Sequence, residues 1–185
     1  KQLPPDPPAG GTCVAPSPIP YGPGGHIPPV HALTVDEIRG LHRAYADAAV
    51  RARDAGYQWL EMHYAHGYLG ASFFSALANQ RTDQYGGSVE NRARFLVEAL
   101  DAVRAVWPDE YPLTMRLGCD DLHPEGIQFE HALVAVKMMK EHGLDLADRA
   151  TQQSRRLHRE VHPEVLDGED RLAVPGGRAK RSLPG

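Results

Sequence analysis

Residues 34–63, TVDEIRGLHRAYADAAVRARDAGYQWLEMH, decide the fold class of this 185-residue chain. Thr34, followed three residues later by Glu37, forms a capping box, which predicts the start of a helix. Apolar residues then recur at helical spacing as far as Gly56, and a glycine commonly ends a helix. The next seven residues, YQWLEMH, are a short apolar run that predicts a buried strand. A helix followed directly by a buried strand is typical of α/β folds.

Two further units repeat this order along the chain. Residues 88–107 are expected to form a helix and residues 112–117 a strand, with a polar, glycine-containing connection over residues 65–87 before them. Residues 129–142 form the next expected helix, and a third strand begins at 144. Strands that alternate with helices pair in parallel through right-handed crossovers. A β/α barrel and an open doubly wound sheet both fit, but no GxGxxG follows any strand, which weakens a dinucleotide-binding interpretation.

The composition divides the chain into three parts. Residues 1–29 are a lead-in rich in proline and glycine, which we expect to be extended or looping because ten of the 16 prolines lie in the first 30 residues. Residues 30–150 are expected to form about three βα units of a barrel, and a complete barrel needs roughly 250 residues. Residues 151–185 contain no aromatic residue and are expected to be poorly ordered. We therefore expect a fragment, a partial (β/α)8 TIM barrel.

Charge and cysteine content exclude several classes of protein. The net charge of −4 argues against a partner that is nucleic acid or an anionic membrane surface. No apolar run reaches the roughly 20 residues of a membrane-spanning helix, and no leader sequence is present, so we expect a cytoplasmic protein. The two cysteines, Cys13 and Cys119, match neither a disulfide framework nor a metal-ligand spacing.

The first candidate site follows the first predicted strand, where His63, His66 and Tyr68 occur in the string HYAHGY. Ligand sites of parallel α/β folds lie at the carboxyl ends of the strands. The histidines have three interpretations: metal ligands that need a third group such as Glu61 or Asp120, ordinary partly buried histidines, or paired N–H donors to a substrate oxygen. Tyr68 is either a half-buried loop tyrosine or a general acid.

The second candidate is Arg116, an ionised residue in the middle of an apolar strand. Its guanidinium either forms an internal ion pair, with Asp120 or Glu61, or holds a ligand. The stretch over residues 79–88 lacks the P-loop spacing and is expected to be a structured connection that packs on the next helix. Three polar or charged residues of that helix are expected to lie on its solvated face: Asn91, Arg92 and Arg94.

Three strings together resemble the old yellow enzyme family of NADH:flavin oxidoreductases, FMN-dependent ene-reductases on a (β/α)8 barrel. They are HYAHGYL at residues 63–69, NQRTDQYGG at 79–87 and ENRARF at 90–95. The lead-in residues 14–17, the Arg116-Leu117 pair and residues 143–146 are also similar to that family. The resemblance extends from about Val14 to Asp148, and the tail beyond Asp148 does not share it.

The resemblance implies a function and a role for each candidate residue. The family passes hydride from NAD(P)H through FMN to an activated alkene, such as an enone. His63 and His66 match the pair that binds the ligand oxygen, and Tyr68 matches the proton donor. Arg116 matches the arginine that faces the flavin pyrimidine edge, and no metal is implied. A cation there stabilises the anionic reduced flavin.

Several departures from the family pattern suggest alternatives. Tyr64 replaces a small residue between the histidines and is expected to crowd the ligand pocket. The chain carries no FMN-phosphate loop, so we expect it to hold FMN weakly and to reduce enones poorly by itself. A non-catalytic truncated remnant without bound flavin is therefore the main alternative, and a metal-dependent barrel hydrolase that uses both histidines is a weaker one. The protein partner that we expect is a second copy of the chain, in a homo-oligomer.

Overall fold

The computed structural model describes residues 13–19, 30–151 and 171–173, the last three by their backbone. Most of the expectations for the lead-in and for the tail lie outside the described residues. The described part contains six strands and four helices, in this order along the chain: β1 (Cys13–Ala15), β2 (Val30–Ala32), α1 (Val35–Asp54), β3 (Leu60–Tyr64), α2 (Leu69–Phe74), α3 (Val89–Arg104), β4 (Leu113–Asp120), α4 (Phe129–Glu141), β5 (Leu146–Thr151) and β6 (Arg171–Ala173).

The main sheet confirms the expected alternation of helices and strands. Its order is β3-β4-β5-β6, and β3, β4 and β5 pair in parallel. The strand β6, which the sequence did not predict, pairs antiparallel with β5. A separate small sheet joins β1 to β2 in parallel. The crossovers α3 and α4 connect β3 to β4 and β4 to β5, as expected for consecutive units of a β/α barrel.

The caps of α1 form as the sequence predicts. The Thr34 hydroxyl accepts a hydrogen bond from the Glu37 amide, and the Glu37 carboxylate accepts one from the Thr34 amide at 2.7 Å. The bond from the Thr34 amide, then those from His31 and from the Thr34 hydroxyl, lower the pKa of Glu37 to about 2. Gly56, at φ +89°, adopts the left-handed conformation that ends the helix.

The core lies between the helices and one face of the sheet. Its largest fully buried side chains come from all of these layers: Ile38, Tyr64, Phe73, Phe74, Tyr85, Phe95, Leu96, Leu100, Leu113, Met115, Leu117 and Ile127. No helix in the described part of the chain has the length and apolar content needed to cross a bilayer.

Two local expectations are wrong. The strand predicted at residues 57–63 begins only at Leu60, and the side chains of Tyr57 and Trp59 are 64% and 58% exposed. Pairing starts there with a hydrogen bond from the Leu60 amide to the carbonyl of Pro112, the residue before β4. The connection over residues 65–87 also contains a helix, α2, whose six residues are too few to show helical periodicity in the sequence.

The described part of the lead-in is attached to the connection over residues 79–88. The Gln80 amide donates to the Ser17 hydroxyl at 2.8 Å, and the Arg81 guanidinium donates to the Pro16 carbonyl at 3.0 Å and to the Leu33 carbonyl at 2.5 Å. Arg81 thus joins β1 and β2 to the loop that precedes α3. The predicted boundary between the lead-in and the barrel at residue 30 stays a prediction. Residues 13–19, on the lead-in side of it, are hydrogen-bonded to residues on the barrel side.

His42 of α1 is a buried histidine outside the candidate site. Its ring lies 5.0 Å from the Phe95 ring, and its Nδ1 is 3.6 Å from the Glu98 carboxylate. The Tyr85 hydroxyl donates to the same carboxylate at 2.7 Å. Burial lowers the pKa of His42, and Glu98 only partly opposes this effect.

We predict that His42 makes the protein less stable in mild acid. A buried base whose pKa is lowered takes up its proton more readily when unfolded, so stability is lost as pH falls below about 6.5. The free energy of unfolding, measured in urea at pH 7.5 and at pH 5.5, should therefore fall more in the wild type than in His42→Leu. Ile38→Val, which removes a buried methyl group but no titrating group, is the control and should keep the wild-type slope. Equal slopes for the wild type and His42→Leu would contradict the prediction.

Candidate functional site

The chain turns sharply where β3 ends, and this turn presents the candidate residues. His63 lies on β3, and Tyr64 is the last residue of the strand. His66 and Gly67 then adopt positive φ angles of 58° and 75°, which reverse the direction of the backbone. A left-handed histidine is mildly strained, and such strain is concentrated at functional sites. Tyr68 follows as the N-cap of α2.

The structure brings the three residues of the string HYAHGY together. His66 Nδ1 lies 3.3 Å from His63 Nε2, and the ring centroids are 5.1 Å apart. The Tyr68 ring lies 5.6 Å from the His63 ring, and its side chain is 62% exposed. Burial, then the neighbouring His66 and Arg116, lower the pKa of His63. The lowered pKa of His63 favours its neutral imidazole, which has one N–H to donate.

Arg116 lies beside His63 on the next strand. The two residues are register partners in the β3–β4 ladder, so their side chains leave the same face of the sheet. The Arg116 Nε lies 3.6 Å from a Glu61 oxygen, and an Nη nitrogen lies 3.7 Å from an Asp148 oxygen. The ion pair with Glu61 agrees with one of the expected alternatives. The second carboxylate is Asp148, the Arg116 partner on β5, and not Asp120.

Tyr64 does not crowd the site, contrary to our expectation. Successive residues of a strand point to opposite faces, so Tyr64 leaves β3 on the side away from His63. Its ring is fully buried in the core under α2 and contacts the Tyr45 ring edge-on at 6.0 Å. The backbone of Gly70 lies so close that a Cβ there would overlap the Tyr64 ring. The large residue at 64 is thus matched by the missing side chain at 70.

Arg92 also differs from its expected place on a solvated helix face. Its side chain is buried at 6% exposure, and its guanidinium donates to the carbonyls of Phe74 and Gly87. Arg94 does show the expected contact between the connection and α3, because it donates to the Gln84 carbonyl at 2.9 Å. Sequence alone offered one signal for Arg92, its position within the family-like string at residues 90–95.

The grouped side chains suit the flavin that the resemblance implies. One face of the sheet carries N–H donors only a strand apart: the imidazoles of His63 and His66 and the guanidinium of Arg116. Such donors match a flat, oxygen-rich ring that becomes anionic on reduction. Among the described residues, no three His, Cys, Asp or Glu side chains come together as metal ligands.

Comparisons with known proteins agree with this fold and site. The model of the "NADH:flavin oxidoreductase / NADH oxidase family" matches residues 15–163. An NADPH dehydrogenase of Bacillus cytotoxicus is 43% identical over 150 residues, which are 81% of this chain and 42% of that protein. The chain thus spans less than half the length of this curated relative.

Solved structures show the same similarity. An old yellow enzyme homologue from Zymomonas mobilis superposes with a TM-score of 0.66 at 30% identity, over 76% of this chain and 42% of that one. Morphinone reductase in complex with tetrahydroNAD gives a TM-score of 0.65 at 35% identity, over 74% and 42%.

These findings settle the fold class as well as the family. The parallel units and their site define part of a (β/α)8 barrel, rather than an open doubly wound sheet. The chain belongs to the NADH:flavin oxidoreductase / NADH oxidase family. The similarity also extends to residue 163, beyond the end near Asp148 that the motifs alone suggested.

We predict that the pair of Tyr64 and Gly70 is energetically coupled. Gly70→Ala forces a methyl group into the Tyr64 ring and should cost about 1–3 kcal/mol of unfolding free energy. Tyr64→Ala should cost about 3–5 kcal/mol through the cavity that it leaves. The double variant should be more stable than the sum of the two changes implies, by about 1 kcal/mol or more.

Gly40→Ala is the matched control for this cycle. Gly40 lies inside α1, where an added Cβ meets only the end of the Arg43 side chain at 3.8 Å. This change should leave stability unaltered or raise it by up to about 1 kcal/mol, because alanine favours a helix. Urea unfolding measures all four variants, and strict additivity at 64 and 70 would count against the packing described here.

Proposed function

We propose that the protein containing this chain is an FMN-dependent oxidoreductase that passes hydride from NAD(P)H to an activated alkene such as an enone. The observation that carries the proposal is the assembly of His63, His66 and Tyr68 at one strand end, with Arg116 level with His63 on the next strand. Family membership supports it, as does the nicotinamide ligand bound by morphinone reductase.

His63 and His66 are proposed to hold the carbonyl oxygen of the acceptor. Their nitrogens already lie 3.3 Å apart, so an oxygen placed at hydrogen-bond distance from both rings replaces their mutual bond. Donation from two imidazoles draws electrons out of the conjugated alkene and stabilises the negative charge that grows on the oxygen. The low pKa of His63 keeps its ring neutral, so it binds that oxygen as a hydrogen-bond donor.

Tyr68 is proposed to supply the proton. Bound FMN would supply the redox chemistry, a hydride that originates from NAD(P)H, to one alkene carbon. The second carbon then needs a proton for the reaction to balance. The Tyr68 phenol lies beside His63 and is open to solvent, so it gives that proton as a general acid and regains one from water.

Arg116 is proposed to lie against the pyrimidine edge of FMN, where a cation favours the anionic reduced ring. Glu61 and Asp148 would moderate its positive charge. A cytoplasmic location and a homo-oligomeric state remain predictions from the sequence.

The histidine pair is tested by phenol binding. A phenolate offers the same oxygen to the two imidazoles, and its stacking on flavin gives a charge-transfer absorption band. In FMN-saturated protein we expect His63→Ala/His66→Ala to abolish that band and to weaken phenol binding by at least about 100-fold, the lower bound for two charge-assisted hydrogen bonds. His142→Ala, far along the chain on an exposed surface, should bind phenol normally.

Two results would contradict the proposal. An unchanged phenol dissociation constant in the double-histidine variant would remove the histidines from the ligand site. Protein that takes up no flavin, in its natural length and with excess FMN, would instead favour the non-catalytic alternative.

A further inference from the structure

The position of Tyr68 depends on the short helix that follows it. The Tyr68 carbonyl accepts the first bond of α2, from the Ser72 amide at 2.8 Å, and the Ser72 hydroxyl also donates to it. The phenol itself is exposed, so the backbone must place it. A helix of six residues is not stable by itself, and α2 therefore takes its position from its surroundings.

Apolar packing holds α2 against the core. Phe73 stacks on Phe95 with centroids 4.0 Å apart and planes 3° from parallel. Gly70, Ala71 and Phe74 are buried as well. Close-packed contacts of this kind resist a shift of the helix. Directional hydrogen bonds to its last residues fix its position further.

Such bonds meet at the last residues of α2. The Asn79 amide donates to the Phe73 carbonyl at 2.6 Å and to the Tyr85 carbonyl at 2.7 Å. The Arg92 Nε donates to the Phe74 carbonyl at 2.9 Å. The Phe73 and Phe74 carbonyls belong to the last turn of α2, and the last turn of a helix has no intrahelical donors for its carbonyls.

A third buried group binds the residue that ends α2. Ser75, the C-cap, donates its hydroxyl to the Asp121 carboxylate at 2.5 Å. The same carboxylate oxygen accepts the Ile127 amide at 2.8 Å, so it also closes the loop after β4. Asp121 and Arg92 are both buried, and Asp121 offsets part of the cost of burying the guanidinium.

We propose that Asn79, Arg92 and Asp121 are positioning residues for Tyr68. They come from the connection after α2, from α3 and from the end of β4, and together they fix the C-terminal end of α2 relative to the sheet. The helix then holds Tyr68 beside His63 at its other end. The inference rests on the proposed function only where it treats Tyr68 as the proton donor.

The first experiment is independent of any activity. Nuclear Overhauser effects between the Tyr68 and His63 rings, and amide hydrogen exchange in α2, are measured in the wild type, Asn79→Asp and Arg94→Lys. Asn79→Asp keeps the shape of the side chain but removes both donated bonds. It should weaken the ring-to-ring signal and speed exchange of the Ser72 and Ser75 amides by about tenfold, since local opening becomes easier.

Arg94→Lys is the matched control, because Arg94 lies on the same helix and, within the described part of the chain, bonds to Gln84 and Asn91 rather than to α2. It should leave the α2 signals unchanged. Ser75→Ala is a milder second variant if Asn79→Asp does not fold, since it removes only the bonds of the Ser75 hydroxyl to Asp121 and to the Leu77 amide. Wild-type signals in α2 for a folded variant at residue 79 or residue 75 would overturn the inference.

The second experiment separates positioning from general stability. In FMN-loaded protein, reduction of the flavin by NADPH does not use Tyr68, whereas reduction of cyclohexenone does. Ser75→Ala and Arg92→Lys should slow cyclohexenone reduction by about tenfold, part of the 10²–10⁴ that a general acid contributes. Flavin reduction and FMN content should stay within about twofold of the wild type.

Tyr68→Phe distinguishes the two levels of the argument. If Tyr68→Phe leaves cyclohexenone reduction at the wild-type rate, the proposed role of Tyr68 is wrong. If Tyr68→Phe slows that step and the variants at residues 75 and 92 do not, the positioning inference alone is wrong. A loss of flavin reduction and alkene reduction together in those variants would also overturn it, because that result indicates a general structural role.

Discussion

The parallel register of β3, β4 and β5 places His63, Arg116 and Asp148 in one row across the sheet. Parallel strands align their carboxyl ends at the same edge, so every group that follows this row in sequence meets at that edge. The turn at His66, the start of α2 and the loop after β4 all depend on it. A slip of one residue between β3 and β4 would move His63 to the helix face and Tyr64 to the site.

The same register concentrates charge on one face of the sheet. Arg116 lies between Glu61 and Asp148, an arrangement that offsets the cost of placing a guanidinium in the middle of a strand. The helix face of the same strands is apolar, with Met62, Met115 and Ala147 buried against the helices. One face of the sheet thus packs in the apolar core, and the other carries charged and polar side chains.

Sequence reasoning recovered what depends on local chemistry. The capping box at Thr34, the glycine at 56 and the cap at Ser88 follow from hydrogen bonds within a few residues, and each forms as expected. It failed where distant chain segments decide the outcome. The helix α2 is too short for periodicity, the burial of Arg92 requires the carbonyl of Phe74, and the pairing of Asp148 with Arg116 requires the register of β5. The expectation that Tyr64 crowds the site is wrong because successive residues of a strand point to opposite faces of the sheet.

The longest family-like string, NQRTDQYGG at residues 79–87, is explained by hydrogen bonding to the backbone rather than by ligand chemistry. Asn79 is its first residue, and Arg92 lies in the next string, at residues 90–95. Both are buried donors to backbone carbonyls at the end of α2. Replacing either by an apolar residue leaves those carbonyls buried and unsatisfied, at a cost of about 1–3 kcal/mol each. The string is therefore held in place by backbone hydrogen bonding, whereas His66 and Tyr68 remain exposed. For that reason a match to the string establishes how the turn after β3 is built, while the chemistry of the protein must be argued from the exposed residues that this turn presents.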